Sequence, residues 1–209
     1  MRRTLMALAV AALTAPLVAQ AQTTYDEPNY ETGQPVSKTR PSIGIMGNVG
    51  VGDYNRDLGH KVNAGIGYGA SIDLSPQRNI GLELGYAGGV NNLDSKFSSD
   101  GRLITNQVGG DLRLNLVPPT RDLPGHVKPF VFGGAFYHRI DTQNFTPGIA
   151  DNVNAFALPV GAGVEAELGS GFLIGGRFTY NFLFNEVTKL GGNADFWTAT
   201  VNLGARLAQ

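Results

Sequence analysis

The sequence predicts an all-β protein, an eight-stranded antiparallel up-and-down barrel that crosses a membrane. Three observations carry the prediction. From Pro41 onward, apolar residues alternate with small or polar ones in eight successive segments. The connections between segments alternate between long polar stretches and short turns. Glycine makes up 29 of 209 residues and sits inside the apolar segments rather than between them. Such placement weakens a helix by about 1 kcal/mol per glycine, but suits a tightly curved sheet.

Ahead of the segments, Arg2 and Arg3 precede an apolar run from Leu5 to Val18 and then Ala19-Gln20-Ala21. This is the pattern of a secretory signal peptide, residues 1–21, with cleavage expected after Ala21. The run falls short of the roughly 20 apolar residues that a membrane helix needs. Residues 22–40 are polar, carry two prolines, and read as a flexible periplasmic leader. The barrel domain is expected over 41–209.

In order, the apolar positions of the segments begin with Ile43, Ile45, Val49 and Val51, opposed by Gly44, Met46, Asn48 and Gly50. The second sets Val62 through Leu74 against Gly65, Gly67, Gly69, Ser71 and Asp73. The third sets Ile80, Leu82, Leu84 and Tyr86 against Glu83 and its glycines; the fourth sets Val108, Leu112 and Leu114 against Asp111 and Arg113. In the fifth, Phe130, Phe132 and Phe136 oppose Val131, Gly133, Tyr137 and Arg139. The sixth opposes Phe156, Leu158, Val160 and Val164 to Gly161, Gly163, Glu165 and Glu167; the seventh opposes Phe172, Ile174 and Phe178 to Arg177; the eighth opposes Trp197, Val201 and Leu203 to Asn202 and Arg206. Each is close to the membrane-crossing strand length of about 9–11 residues. Residues 52–61, 91–103, 141–153 and 185–195 are the long loops, whereas Ser75–Asn79 and Gly169–Gly171 are short turns. The connection 117–127 is longer than the other turns, and its three prolines make it stiff.

A soluble barrel would turn the apolar face inward, and a membrane barrel turns it outward. The opposite face decides. Asp73, Glu83, Asp111, Arg113, Arg139, Glu165, Glu167, Arg177 and Arg206 mix both signs among glycines. An eight-stranded lumen is only just wide enough for side chains, so small residues interleaved with ion pairs fit there. The expected pairs are Glu83 with Arg113 and Glu165 with Arg177, each across one hairpin. Tyr68, Tyr86, Phe130, Phe172, Phe184, Phe196 and Trp197 lie near segment ends, where an aromatic girdle would meet the bilayer boundary.

On these residues, KPFVFGGAFYHR at Lys128–Arg139, GAGVEAEL at Gly161–Leu168 and the final alternating strand, the chain resembles the small outer-membrane β-barrels typified by the transmembrane domain of outer-membrane protein A and by protein X. The resemblance covers about residues 41–209. It implies a Gram-negative outer-membrane location, outer-membrane lipid and lipopolysaccharide as surroundings, barrel-assembly machinery and periplasmic chaperones during export, and a monomer. It also implies that interior ion pairs plug the barrel and can gate a narrow conductance, or else merely fill it. Such chains usually end in an aromatic residue, whereas this one ends Leu207-Ala208-Gln209, a departure in the assembly signal rather than in the fold. No periplasmic peptidoglycan-binding domain is expected after the last strand.

The charge balance, 16 basic against 17 acidic residues, becomes −3 without residues 1–21 and offers no footprint for nucleic acid. With no cysteine, lipid attachment, disulfides and thiolate metal sites are excluded. A few barrels of this size are lipid-acting enzymes built on Ser, His and an acid. Here His60 falls in the first loop, His126 in the Pro-rich connection and His138 at the outward end of the fifth strand, so each reads as a surface or interface residue, and no catalytic, metal or cofactor residue is expected. The two Gly-x-Gly runs, at 48–55 and 65–71, open no helix and read as barrel wall rather than nucleotide loops. The functional reading is a non-enzymatic barrel with a structural, envelope-integrity or surface-contact role; a small ion or solute channel is the alternative, and a lipid-modifying enzyme the third. The site that could carry function is the lumen set Glu83, Asp111, Arg113, Arg139, Glu165, Glu167, Arg177 and Arg206.

Overall fold

The computed structural model describes residues 42–75, 79–96, 100–116, 127–144, 152–168, 171–184 and 195–207. The expected signal peptide and leader, and His126, lie outside them. Eight strands form one closed antiparallel barrel in sequence order: β1 (Ser42–Tyr54), β2 (Gly65–Ser75), β3 (Ile80–Asn92), β4 (Arg102–Asn115), β5 (Val127–Gln143), β6 (Asn152–Leu168), β7 (Phe172–Phe184) and β8 (Phe196–Leu207). Closure is made by β1 on β8, from Ile43 opposite Leu207 to Tyr54 opposite Phe196. Such closure leaves no unpaired sheet edge for hydrocarbon to meet.

The strands are longer than the sequence suggests, with β5 and β6 at 17 residues each. They therefore exceed the length needed to cross an apolar core about 30 Å thick. Val62, read as the start of the second strand, instead lies in an isolated bridge to Leu93, and β2 begins at Gly65. Between β1 and β2 stands one helical turn, α1 (Arg56–Gly59). At the opposite end, Gly171 enters β7 with φ +96°, a conformation that favours glycine, and its carbonyl accepts from Arg206 N at 2.7 Å.

The apolar face points outward. Ile45, Val49, Ile66, Leu84, Val108, Leu112, Val164, Phe178, Val201 and Leu203 are all exposed, and Asp73, Glu83, Asp111, Arg113 and Glu165 are buried inside. This is the arrangement of a lipid-facing barrel.

Strand β5 breaks the expectation. Phe130, Phe132 and Phe136 are 3%, 6% and 9% exposed and point into the lumen, while Val131 and Tyr137 face outward. The register supplies the reason. Phe130 lies opposite Gly163 and Phe132 opposite Gly161 on β6, and a Cβ at either glycine would collide with the facing ring. Two missing side chains thus make room for two large ones. The girdle is corrected accordingly. Phe130 and Phe196 point inward, whereas Tyr68, Tyr86, Phe172, Tyr137 and Phe156 are exposed outside.

Candidate functional site in the barrel lumen

Strand pleating places every second residue in the lumen, so groups far apart in sequence converge there. The converging charges form a belt towards the short-turn end. Arg113 Nη1 donates to Glu165 Oε2 at 2.8 Å and lies 3.8 Å from Asp73 Oδ2, while its guanidinium sits 3.8 Å from the Phe130 ring centroid. Arg177 donates through Nη1 to Glu83 Oε1 at 2.7 Å and through Nη2 to Asp111 Oδ2 at 2.5 Å, over the Phe132 ring at 3.5 Å. Arg206 donates to Glu167 at 2.6 Å and to Glu165 at 3.2 Å. Lys128 reaches Glu167 at 3.5 Å where the belt meets the mouth.

Of the expected set, Glu83, Asp111, Arg113, Glu165, Glu167, Arg177 and Arg206 meet in this belt. Two corrections follow. Arg139 is not in the lumen: its side chain is 51% exposed and its Nε bonds Asp141 at 2.9 Å on the outer wall, because β5 runs in the opposite phase. The partners also differ from the hairpin pairs. Arg113 on β4 takes Glu165 on β6, and Arg177 on β7 takes Glu83 on β3, so the contacts reach across the lumen. Long guanidinium stems span a narrow interior more readily than they fold back along a pleated wall, and the β5 phenylalanines fill the space between β4 and β6.

A second layer closes the long-loop end, and the sequence reading missed it. Tyr54, Leu103, Ile140, Val153, Ala155 and Phe196 point inward from five strands, and Leu58 of α1 and Val62 fold down onto them. The first loop is held in that position by backbone bonds: Asn55 N to Asp195 O at 2.7 Å, and Asn63 N to Asn92 O at 2.8 Å. Asn91 Nδ2 also ties it to the carbonyls of Asn63 and Gly52. Each apolar member sits at a strand end, where a sequence pattern cannot separate a lumen-facing residue from a membrane-boundary one. The available signal was Leu58 and Val62, two apolar residues in an otherwise polar loop.

His138 is also corrected. It is fully buried, with its ring 5.3 Å from that of Phe196 and no hydrogen-bond partner on either ring nitrogen. A catalytic histidine needs an orienting acid on one nitrogen and a nucleophile on the other, and this one has neither. His60 is exposed in the first loop.

Between belt and plug lies a cavity of about 90 Å³, large enough to admit water. Glycines of β2 and β3, including Gly65, Gly67, Gly85 and Gly89, form one wall; Gln107, Asp111, Arg177 and Asn181 face it. Gln107 Oε1, Asp111 Oδ1, Arg177 Nε and Asn181 Nδ2 are buried without a protein partner. No helix among the described residues is long and apolar enough to cross a membrane.

A family model for the outer membrane protein beta-barrel domain matches residues 5–207. The chain belongs to that family. Its fold is shared with solved barrels at low identity. Neisserial surface protein A matches with a TM-score of 0.55 and 15% identity over 79% of this chain and 96% of that one. The N-terminal β-barrel domain of Pseudomonas aeruginosa OprF matches at 0.54 and 15%, over 80% and 98%. The Yersinia pestis attachment invasion locus protein Ail, in complex with the heparin analogue sucrose octasulfate, matches at 0.57 and 14%, over 80% and 99%. No curated protein sequence matches significantly. The family supports an outer-membrane location, and a surface or envelope role fits it.

Proposed function

We propose that this outer-membrane barrel is non-enzymatic and non-conducting, and that it serves the envelope as a rigid wall element displaying its long loops outside the cell. One observation carries the reading: the lumen is closed twice, by cross-lumen ion pairs and by an apolar plug in which Ile140 is 1% and Leu103 2% exposed. A pore needs a continuous wetted path, and buried apolar side chains at the mouth oppose one. In this reading residues 1–21 are removed on export, the short turns lie in the periplasm, and the protein works as a monomer in lipid and lipopolysaccharide. Ail, whose structure contains a heparin analogue, illustrates the kind of surface contact such a barrel can support.

The cavity favours the channel alternative, since it shows that the interior is not filled throughout. Planar-bilayer recording of the detergent-folded, heat-modifiable protein decides between the two. Absence of discrete current steps is expected. Steady single-channel conductance in the parent protein would replace the structural reading with the channel.

A further inference from the structure

We propose that His138 is an acid-operated latch: its protonation releases the first loop and the apolar plug from the outer mouth of the barrel, while the ion-pair belt below stays shut. The placement of the ring makes the case. His138 is fully buried, and neither Nδ1 nor Nε2 has a hydrogen-bond partner. Its ring lies 5.3 Å from that of Phe196, which in turn lies 5.4 Å from that of Tyr54. Tyr54 and Phe196 belong to the plug on which Leu58 of α1 and Val62 rest. The histidine is thus the floor of the plug, and its charge state reaches the first loop through two rings.

The groups around the ring are unable to hold an imidazolium. His138 stands opposite Gln107 on β4 and Ala155 on β6. Gln107 offers one uncharged acceptor, Oε1, which is not bonded to the ring. On β5 itself, Phe136 and Ile140 flank the histidine on the lumen face. Asn181 of β7, beside Phe196 of β8, is neutral. Two titratable groups share this end of the lumen. Tyr54 is engaged with Thr105, and Asp195 accepts from the Leu183 N–H at 3.2 Å, so neither is bonded to His138. Asp111, opposite Gly134 and two lumen positions below, is bonded to Arg177. A neutral imidazole at this place leaves its hydrogen bonds unmade, but a charged one would be a buried ion without a counter-ion, which costs far more.

Solvent, not lipid, lies above the plug. Arg139 and the outward residues opposite it, Asn106 and Asn154, are polar, so on β4 to β6 the wall beside His138 has left the apolar band. The cover is a single helical turn tied down by a few hydrogen bonds, among them Asn55 N to Asp195 O and Asn63 N to Asn92 O. Such a segment opens more readily than a barrel wall. The sign of the pH effect follows. The closed plug keeps the ring neutral, whereas in the open form the ring meets water and takes up a proton near the free imidazole value of about 6.5. Above that pH the closed form is undisturbed, and below it each pH unit favours opening by up to about tenfold for one proton taken up.

Hydrogen exchange of the full-length, detergent-folded protein tests the latch without reference to conductance. The N–H groups of Asn55, Val62 and Asn63, which donate to the Asp195, Leu58 and Asn92 carbonyls, report the opening. Corrected for the intrinsic exchange rate, their protection should fall by about 10–30-fold between about pH 7.5 and about pH 5, while the N–H groups of Glu83 and Arg113 keep theirs. His138→Leu and His138→Gln, both checked for folding by heat-modifiable migration, should hold the protection level over that interval. His60→Gln, in the exposed first loop, should respond as the parent does. In the parent alone, the onset should lie near pH ~6.5 rather than in the carboxylate range near ~4, which keeps the test decisive should the His138 variants not fold. Protection indifferent to pH, an onset in the carboxylate range, a fall that persists in both His138 variants, or a fall shared by the belt N–H groups overturns the latch.

Discussion

The two closures of the lumen do the same job with opposite chemistry, and the difference decides how each can fail. At the short-turn end, Arg113, Arg177 and Arg206 bind carboxylates drawn from four strands. At the long-loop end, α1 and Val62 lie on inward apolar residues of β1, β4, β5, β6 and β8. Each belt residue exists only as part of a set, because a charge without its partner is penalised in a dry interior. Plug residues contribute more independently, since removing one leaves a void or lets water in. The belt therefore fixes which strands face one another across the lumen. The plug only has to be apolar and of about the right volume.

The sharpest way to break this contrast is Arg177→Met. Methionine keeps much of the stem packing against Phe132 but leaves Glu83 and Asp111 without their shared cation. The expected loss is about 3–5 kcal/mol, read from urea unfolding of the detergent-folded barrel by the migration shift on gels. A loss under about 1 kcal/mol, the value of an exposed pair, would mean that water reaches the belt.

In the plug, Ile140→Ala should cost toward the lower end of the roughly 2–5 kcal/mol seen when a buried isoleucine is truncated, because a site at a barrel mouth can relax or hydrate. Urea unfolding of the same preparation checks it. Bilayer recording of this variant should remain silent, since the belt below is intact. Conductance on loss of Ile140 alone would show that the plug, not the belt, seals the barrel.

The contrast also explains what the sequence could and could not reveal. The barrel, its strand count and the outward apolar face were legible because a period of two is imposed on each strand separately, as in Val160 and Val164 against Glu165. The pairing within the belt was not. Which carboxylate Arg113 reaches depends on the width of the closed lumen, and no single hairpin contains that information. The plug was illegible for a third reason: Leu103, Val153 and Phe196 lie at strand ends, where inward and outward apolar residues look alike.

Strand β5 is the instructive failure, and Arg139 supplies the last test. Its alternation is apolar on both faces, Phe130, Phe132 and Phe136 against Val131 and Tyr137, so hydrophobicity does not fix the phase. The charged residue then misleads, because one arginine near a strand end is equally at home in a lumen belt or above the membrane boundary. The deciding information lay on the neighbouring strand, where Gly161 and Gly163 face Phe132 and Phe130. With the phase so fixed, Arg139 projects outward, half exposed and paired with Asp141. An exposed pair contributes less than about 1 kcal/mol, so Arg139→Ala should shift the urea midpoint far less than Arg177→Met does. A loss matching that of Arg177 would require the arginine to be buried among carboxylates. The whole strand would then have to rotate by one residue, swinging the three phenylalanines into lipid.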